Sequence, residues 1–273
     1  MIDVDTYTEA ETEAYLRERL THADCAHLLD QDTPLLAHAL GLLPLALAHT
    51  AAYMINEDTT CARYLRLFTA DTARLDALLP REDTERYGRP VAAALLVSLD
   101  AAQRAEPAGL AAPALALAAF LDPAGHPRAL WSHPSVLGHL GAHRASDIGV
   151  DAETVHAVLR LLHRYGLITA DSRNDLRAVR IHALTARAAR ETTSDTEAST
   201  AVRAIADALL GLWPAEDHTD LDLVAALRAN TEALTAYAGD HLWNPGPTRS
   251  CTESDEASST RDSTVPRFPT GGV

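Results

Sequence analysis

Histidines, three cysteines and a local run of arginines are the side chains in this sequence that could do chemistry. His139 and His143 stand four residues apart and would share one helix face, and with His133 they raise a zinc site. No HExxH frame surrounds them and the nearby carboxylates keep no fixed spacing, so no metal is expected. His22, Cys25 and His27 make a weaker set. Cys25, Cys61 and Cys251 show neither close pairing nor CxxC spacing, which argues against a disulfide framework. Ser98, Ser132 and Ser146 lie in no GxSxG frame. All 23 basic residues are arginine, so the sequence holds no P-loop lysine, no Schiff-base lysine and no lysine general base. With no catalytic motif in view, the expectation is a protein that is not an enzyme.

The arginines gather in one stretch. His156, Arg160, His163 and Arg164 fall within a helical pattern, and Arg173, Arg177 and Arg180 follow in a strand–turn–strand pattern. A helix followed by a basic hairpin is a way to read DNA, with Arg160, Arg164, Arg173 and Arg177 as the contacts. Asp151, Glu153, Asp171 and Asp175 stand among them, and the formal net charge is -15. That balance works against broad attraction to nucleic acid or anionic lipid. A polar surface, or one that docks on another protein, accounts for the arginines as well.

Positioning these groups falls to helices. The composition, rich in Ala and Leu and poor in aromatics, favours helix over strand. Between Asp32 and Glu57 there is no Asp, Glu, Lys or Arg, and the run breaks once, at Gly41-Leu-Leu-Pro44. Gly41 fits the end of one helix and Pro44 the first turn of the next, where its missing N–H costs nothing. Leu45, Ala48, Ala52 and Ile55 recur at helical spacing, which places this helix at the centre of a domain. The run has transmembrane length, but it carries His38 and His49 and has no basic flank to set an orientation. A buried soluble core is expected. The acidic start is no secretory signal, which makes a cytoplasmic protein the default.

Four or five helices fill residues 1–80, including Cys61 to Asp71 and a separate short helix Thr72 to Leu79. Polar residues 81–90 read as a boundary. A second unit spans 88–192: a helix from Val91, another from Pro107 interrupted at Pro113, and an Asp151-capped helix ended by Tyr165-Gly166. Strands Leu167 to Ala170 and Ala178 to Ile181 follow, with Asp171 to Leu176 as the turn between them, and then a helix from His182. This helix–strand–turn–strand order is that of a winged helix. Residues 195–243 make two amphipathic helices, and 244–273 have the composition of a disordered tail.

In this order the pieces resemble the NB-ARC proteins, signal-transduction ATPases of the STAND class, in the region after their nucleotide-binding domain. The likeness is greatest to bacterial members that continue into TPR repeats. Gly41-Leu-Leu-Pro44-Leu45-Ala46 is similar to the GLPL motif of the helical ARC subdomain. Phe120-Leu-Asp-Pro123 resembles a segment of the second subdomain, and Val179-Arg-Ile181-His182-Ala-Leu184 its MHD-type motif. Gly239-Asp-His-Leu-Trp243 resembles the start of the repeat region. The resemblance covers about residues 1–244. It implies a mainly α fold: an ARC-like bundle, a winged helix and a short TPR-like segment.

It also implies that Pro44 packs on the adenine of bound ADP and that His182 reaches the β-phosphate. A proline ring gives a base an apolar face, and an imidazole N–H can donate to phosphate in a bond of about 1.5–3 kcal/mol. The motif's third position is Leu184 rather than Asp. The family's ATPase domain precedes this region, and here there is no GxxxxGK[ST] and no lysine to complete one. The implied function is that of a regulatory lid, non-catalytic alone, binding ADP or ATP only when a nucleotide-binding domain or other protein partner completes the site. A truncated product, a half that works in trans and a relic all fit that description. The rival expectation is a winged-helix DNA-binding regulator.

Overall fold

The computed structural model describes residues 6–78, 88–105, 107, 109–144, 149–216 and 219–242. The boundary expected at 81–90 lies mostly outside these residues, and the tail 244–273 wholly so. The fold is mainly helical, with eleven α-helices and one two-stranded sheet among the described residues.

Helix α1 (Glu9–His22) starts on a capping box. The Thr8 hydroxyl accepts from the Glu11 amide at 3.2 Å, and the Glu11 carboxylate accepts from the Thr8 amide at 2.8 Å, so two helix-end donors are satisfied. Helices α2 (Thr33–Ala39) and α3 (Pro44–Glu57) meet at the corner expected at Gly41. Gly41 has φ +66° and Leu42 φ +55°. Two left-handed residues in succession turn the chain, and Pro44 then opens α3 as its first residue.

Helix α3 is buried on most of its surface. Ala46, Leu47, Ala51 and Met54 are its most enclosed apolar residues, whereas Leu45, Ala48 and Ile55 are only half-buried. Ala52 and Tyr53 are buried as well, so the helix is covered on most faces, as its composition leads one to expect. It includes two polar side chains, His49 and Thr50, that are fully buried. Truncating Leu47 to Ala would cost about 2–5 kcal/mol by cavity formation.

Helix α4 (Cys61–Leu78) is continuous where two helices are expected, because no Pro or Gly interrupts Ala70 to Thr72. Helix α5 (Gly88–Arg104) packs on α3 and α4 and also on α9 (Ala183–Thr192). It joins the early helices to the later ones, and one hydrophobic core runs through both. Helix α6 (Ala111–Ala119) is not broken at Pro113, which falls in its first turn, where no N–H partner is lost.

A 3-10 turn over Arg128–Ser132 leads to α7 (Pro134–Ala142) and then α8 (Ala152–Arg164). Asp151 caps α8 by accepting from the Thr154 amide at 2.8 Å, and Tyr165 ends it. The strands are shorter than expected. β1 (Thr169–Ala170) pairs antiparallel with β2 (Val179–Arg180), and the flanking apolar residues Leu167, Ile168 and Ile181 pack into the core instead of extending the ladder. His126 adds a single bridge, donating its amide to the Val179 carbonyl at 2.8 Å.

Helices α10 (Asp195–Leu212) and α11 (Leu221–Ala238) pack on each other, and α10 also covers α6 and α7. Buried Asn230 ties α11 to the 122–125 turn: its amide donates to the Gly125 carbonyl at 3.0 Å and its oxygen accepts from the Asp122 amide at 3.1 Å. Among the described residues no helix is long and apolar enough to cross a membrane.

Candidate functional site

Two surfaces carry the residues of interest, and helix α3 touches both. The first is the corner where α3 meets the start of α9. Pro44 is half-buried at the first position of α3. His182 is the N-cap of α9, its Nδ1 accepting from the Leu184 amide at 3.2 Å. Because Nδ1 accepts, the proton of the neutral ring sits on Nε2, which has no hydrogen-bond partner among the described residues. Partial burial holds the His182 imidazole below its ordinary pKa and so favours that neutral form.

His49 joins the two helices. It lies a turn and a half along α3 from Pro44, fully buried, with Nε2 at 3.2 Å from the Thr185 hydroxyl of α9. Burial pushes its pKa down to about 4, and the nearby His182 adds to the effect. Its Nδ1 is buried without a partner. Sequence reasoning missed both His49 and Thr185. The available signal was a lone histidine inside a helix whose only charged residue is its last, Glu57.

The second surface is α8 with its hairpin, and it divides the four arginines named for DNA. Arg164 is exposed but tethered to α3: its Nε donates to Asn56 Oδ1 at 3.2 Å, and its carbonyl accepts from Asn56 Nδ2 at 2.8 Å. Beside it the Tyr165 hydroxyl donates to Glu57 at 2.5 Å, and burial together with that carboxylate raises the Tyr165 pKa. Gly166, at φ +71°, lets the chain pass close to α3; a Cβ there would stand 3.5 Å from the Ala52 Cβ. The C-terminal end of α8 is therefore pinned to α3.

Arg173 is 96% exposed and lies 4.0 Å from Asp171, a contact worth little in water. The Arg177 side chain lies over Gly125, where a Cβ would come within 2.5 Å of its own. Arg160 alone of the four lines a cavity and has no ion pair among the described residues. All four arginines are exposed, and they differ in what holds them.

That cavity, of about 570 Å³, opens between α8, the hairpin and the 3-10 turn. His156, Leu159, Arg160 and His163 come from α8, Trp131 and Arg128 from the turn, and Asp171, Ser172 and Val179 from the hairpin. Arg128 holds the hairpin in place, with Nε donating to Asp175 and Nη2 to the Ser172 carbonyl, each at 2.7 Å.

No protein-family model, curated protein or solved structure matches the chain. Geometry alone bears on the site.

The histidines considered for zinc do not converge. The His139 and His143 rings lie 4.7 Å apart between centroids, but His143 Nδ1 is engaged with the His139 carbonyl at 2.8 Å and His133 caps α7. His27 faces Asp58 at 3.1 Å, while Cys25 Sγ lies 3.2 Å from the Ala23 carbonyl. Among the described residues no group of three or more His, Cys, Asp or Glu could hold a metal ion.

Proposed function

We propose that this chain is the regulatory, non-catalytic part of a STAND-type nucleotide switch, closing on an ADP-loaded nucleotide-binding domain and releasing on exchange. In this reading α1 to α4 are the ARC-like bundle, α8 to α9 with the hairpin are a winged helix, and α10 and α11 begin a TPR-like region. The observation that carries it is the buried His49–Thr185 bond, which couples the helix opened by Pro44 to the helix capped by His182. Those two residues are the ones that the NB-ARC resemblance would set against adenine and phosphate. His182 offers a neutral imidazole with a free Nε2–H, the form that donates to an anionic oxygen without carrying a charge of its own.

The sequence has no lysine with which to cradle a triphosphate, so the phosphate grip has to come from the partner. A partner's nucleotide state shifts the docking equilibrium only through its different affinity for open and closed forms. The purified chain by itself is expected to give no ADP isotherm and no ATP turnover above buffer. Micromolar ADP binding by isothermal titration, retained after removal of contaminating nucleotidases, would overturn the reading.

A further inference from the structure

The cavity between α8 and the hairpin is unused by the docking reading, and its walls are those of a small-ligand site. Its volume, about 570 Å³, lies within the range of such pockets. Its inner wall is apolar and fixed: Trp131 is 0% exposed, Val179 2% and Leu159 5%. Two polar atoms of its lining residues, Trp131 Nε1 and His156 Nε2, are buried with no hydrogen-bond partner among the described residues. Buried polar atoms without partners are rare in folded proteins and call for an explanation.

Charge on the wall is selective. Arg128 is spent on Asp175, while Asp171 has Arg180 at 3.9 Å and Arg173 at 4.0 Å. His163 Nδ1 accepts from the Ala170 amide at 3.2 Å. Arg160 remains as the cation with no ion pair among the described residues, and Glu153, two turns earlier on α8, is the unpaired carboxylate. One available cation above an apolar floor suits a single negative charge carried on an apolar body. The hairpin's own acids and Glu153 oppose a dianion or a polyanion such as DNA.

We propose that this cavity binds a small monocarboxylate with an aromatic or branched apolar body, its carboxylate on Arg160 and its body along the wall formed by α8 and the hairpin. The proposal is independent of any nucleotide partner and can be tested on the full chain. Binding of phenylacetate, benzyl alcohol, L-phenylalanine and inorganic phosphate would be followed by ligand-observed NMR and titration calorimetry, alongside the Arg160→Gln and His156→Phe variants. Arg160 is exposed, so its replacement should leave the circular dichroism spectrum unchanged.

Phenylacetate is expected to bind about tenfold more tightly than benzyl alcohol, and Arg160→Gln to erase that difference. Tighter binding of L-phenylalanine than of phenylacetate, lost in Glu153→Gln, would extend the site to amino acids and still support it. Equal affinity for acid and alcohol, an unchanged preference in Arg160→Gln, competition by inorganic phosphate, or no binding of phenylacetate at about 10 mM would each overturn the proposal.

Discussion

Helix α3 meets the later half of the chain along two seams that are built by different rules. At its middle, His49 and Thr185 share one hydrogen bond in a fully buried setting, and one ring nitrogen goes unpaired. At its C-terminal end, Asn56 and Glu57 hold α8 through three contacts: two with Arg164 and one with Tyr165. The outer seam is over-determined and fixes α8. The inner seam is thin, and its main element is an imidazole kept neutral by burial. A thin polar seam under the corner proposed to face a nucleotide is where a small change in a bound group can be felt. A many-bonded clamp is where the fold resists it.

Acid should produce the largest difference between the seams. The His49 pKa is held at about 4 by burial, against an ordinary value of 6.5. The folded state therefore keeps His49 neutral while the unfolded chain takes up a proton. Stability contributed by this site is complete above pH 6.5 and lost as pH falls from there to about 4, a total of about 3 kcal/mol. His126 and His139, held at about 3 and about 4 by burial, add to the slope in the same direction. Urea unfolding at several pH values should show this loss, and His49→Leu should flatten the slope by about one proton. A slope unchanged in His49→Leu would place the acid sensitivity elsewhere.

Next in size is the clamp. Asn56→Ala removes both Arg164 contacts, each exposed enough for water to replace, an expected loss of about 1–2 kcal/mol in urea unfolding at pH 7. A loss below about 0.5 kcal/mol would show that the outer seam is not over-determined in the sense argued here. The inner seam should behave differently. Thr185→Val strands a buried nitrogen and should cost about 1–2 kcal/mol, while adding His49→Leu removes the stranded group. The double variant should therefore be less destabilised than the sum of the singles; strict additivity would contradict this. Smallest of all is His182→Ala, which loses only an exposed cap and should cost about 1 kcal/mol or less.

These seams also separate what the sequence reveals from what it hides. The Gly41–Pro44 corner and the Asp151 cap were legible because caps and turns are written in neighbouring residues. The burial of His49 was not, because nothing within α3 says that Thr185 will arrive opposite it, 136 residues later. Which positions of α3 are most enclosed was hidden for a related reason. Ala-rich helices carry a weak periodic signal, and packing decides which side is covered. The cavity was invisible in sequence because Arg128 and Trp131 come from a 3-10 turn that no periodicity marks as a partner of α8. Arg160 was legible as a candidate; that it is set apart from Arg164 by the Asn56 contacts was not.

The role of the Pro44–His182 corner is tested most directly by ADP release from a STAND-class nucleotide-binding domain, with and without this chain added in trans. A fluorescent ADP analogue would report the dissociation rate. If the corner closes on the nucleotide, wild-type chain slows release at least about tenfold and His182→Ala, still folded, restores the fast rate, as expected for one phosphate contact of about 1.5–3 kcal/mol. Equal release rates with the wild-type chain, the variant and no chain at all would contradict the account.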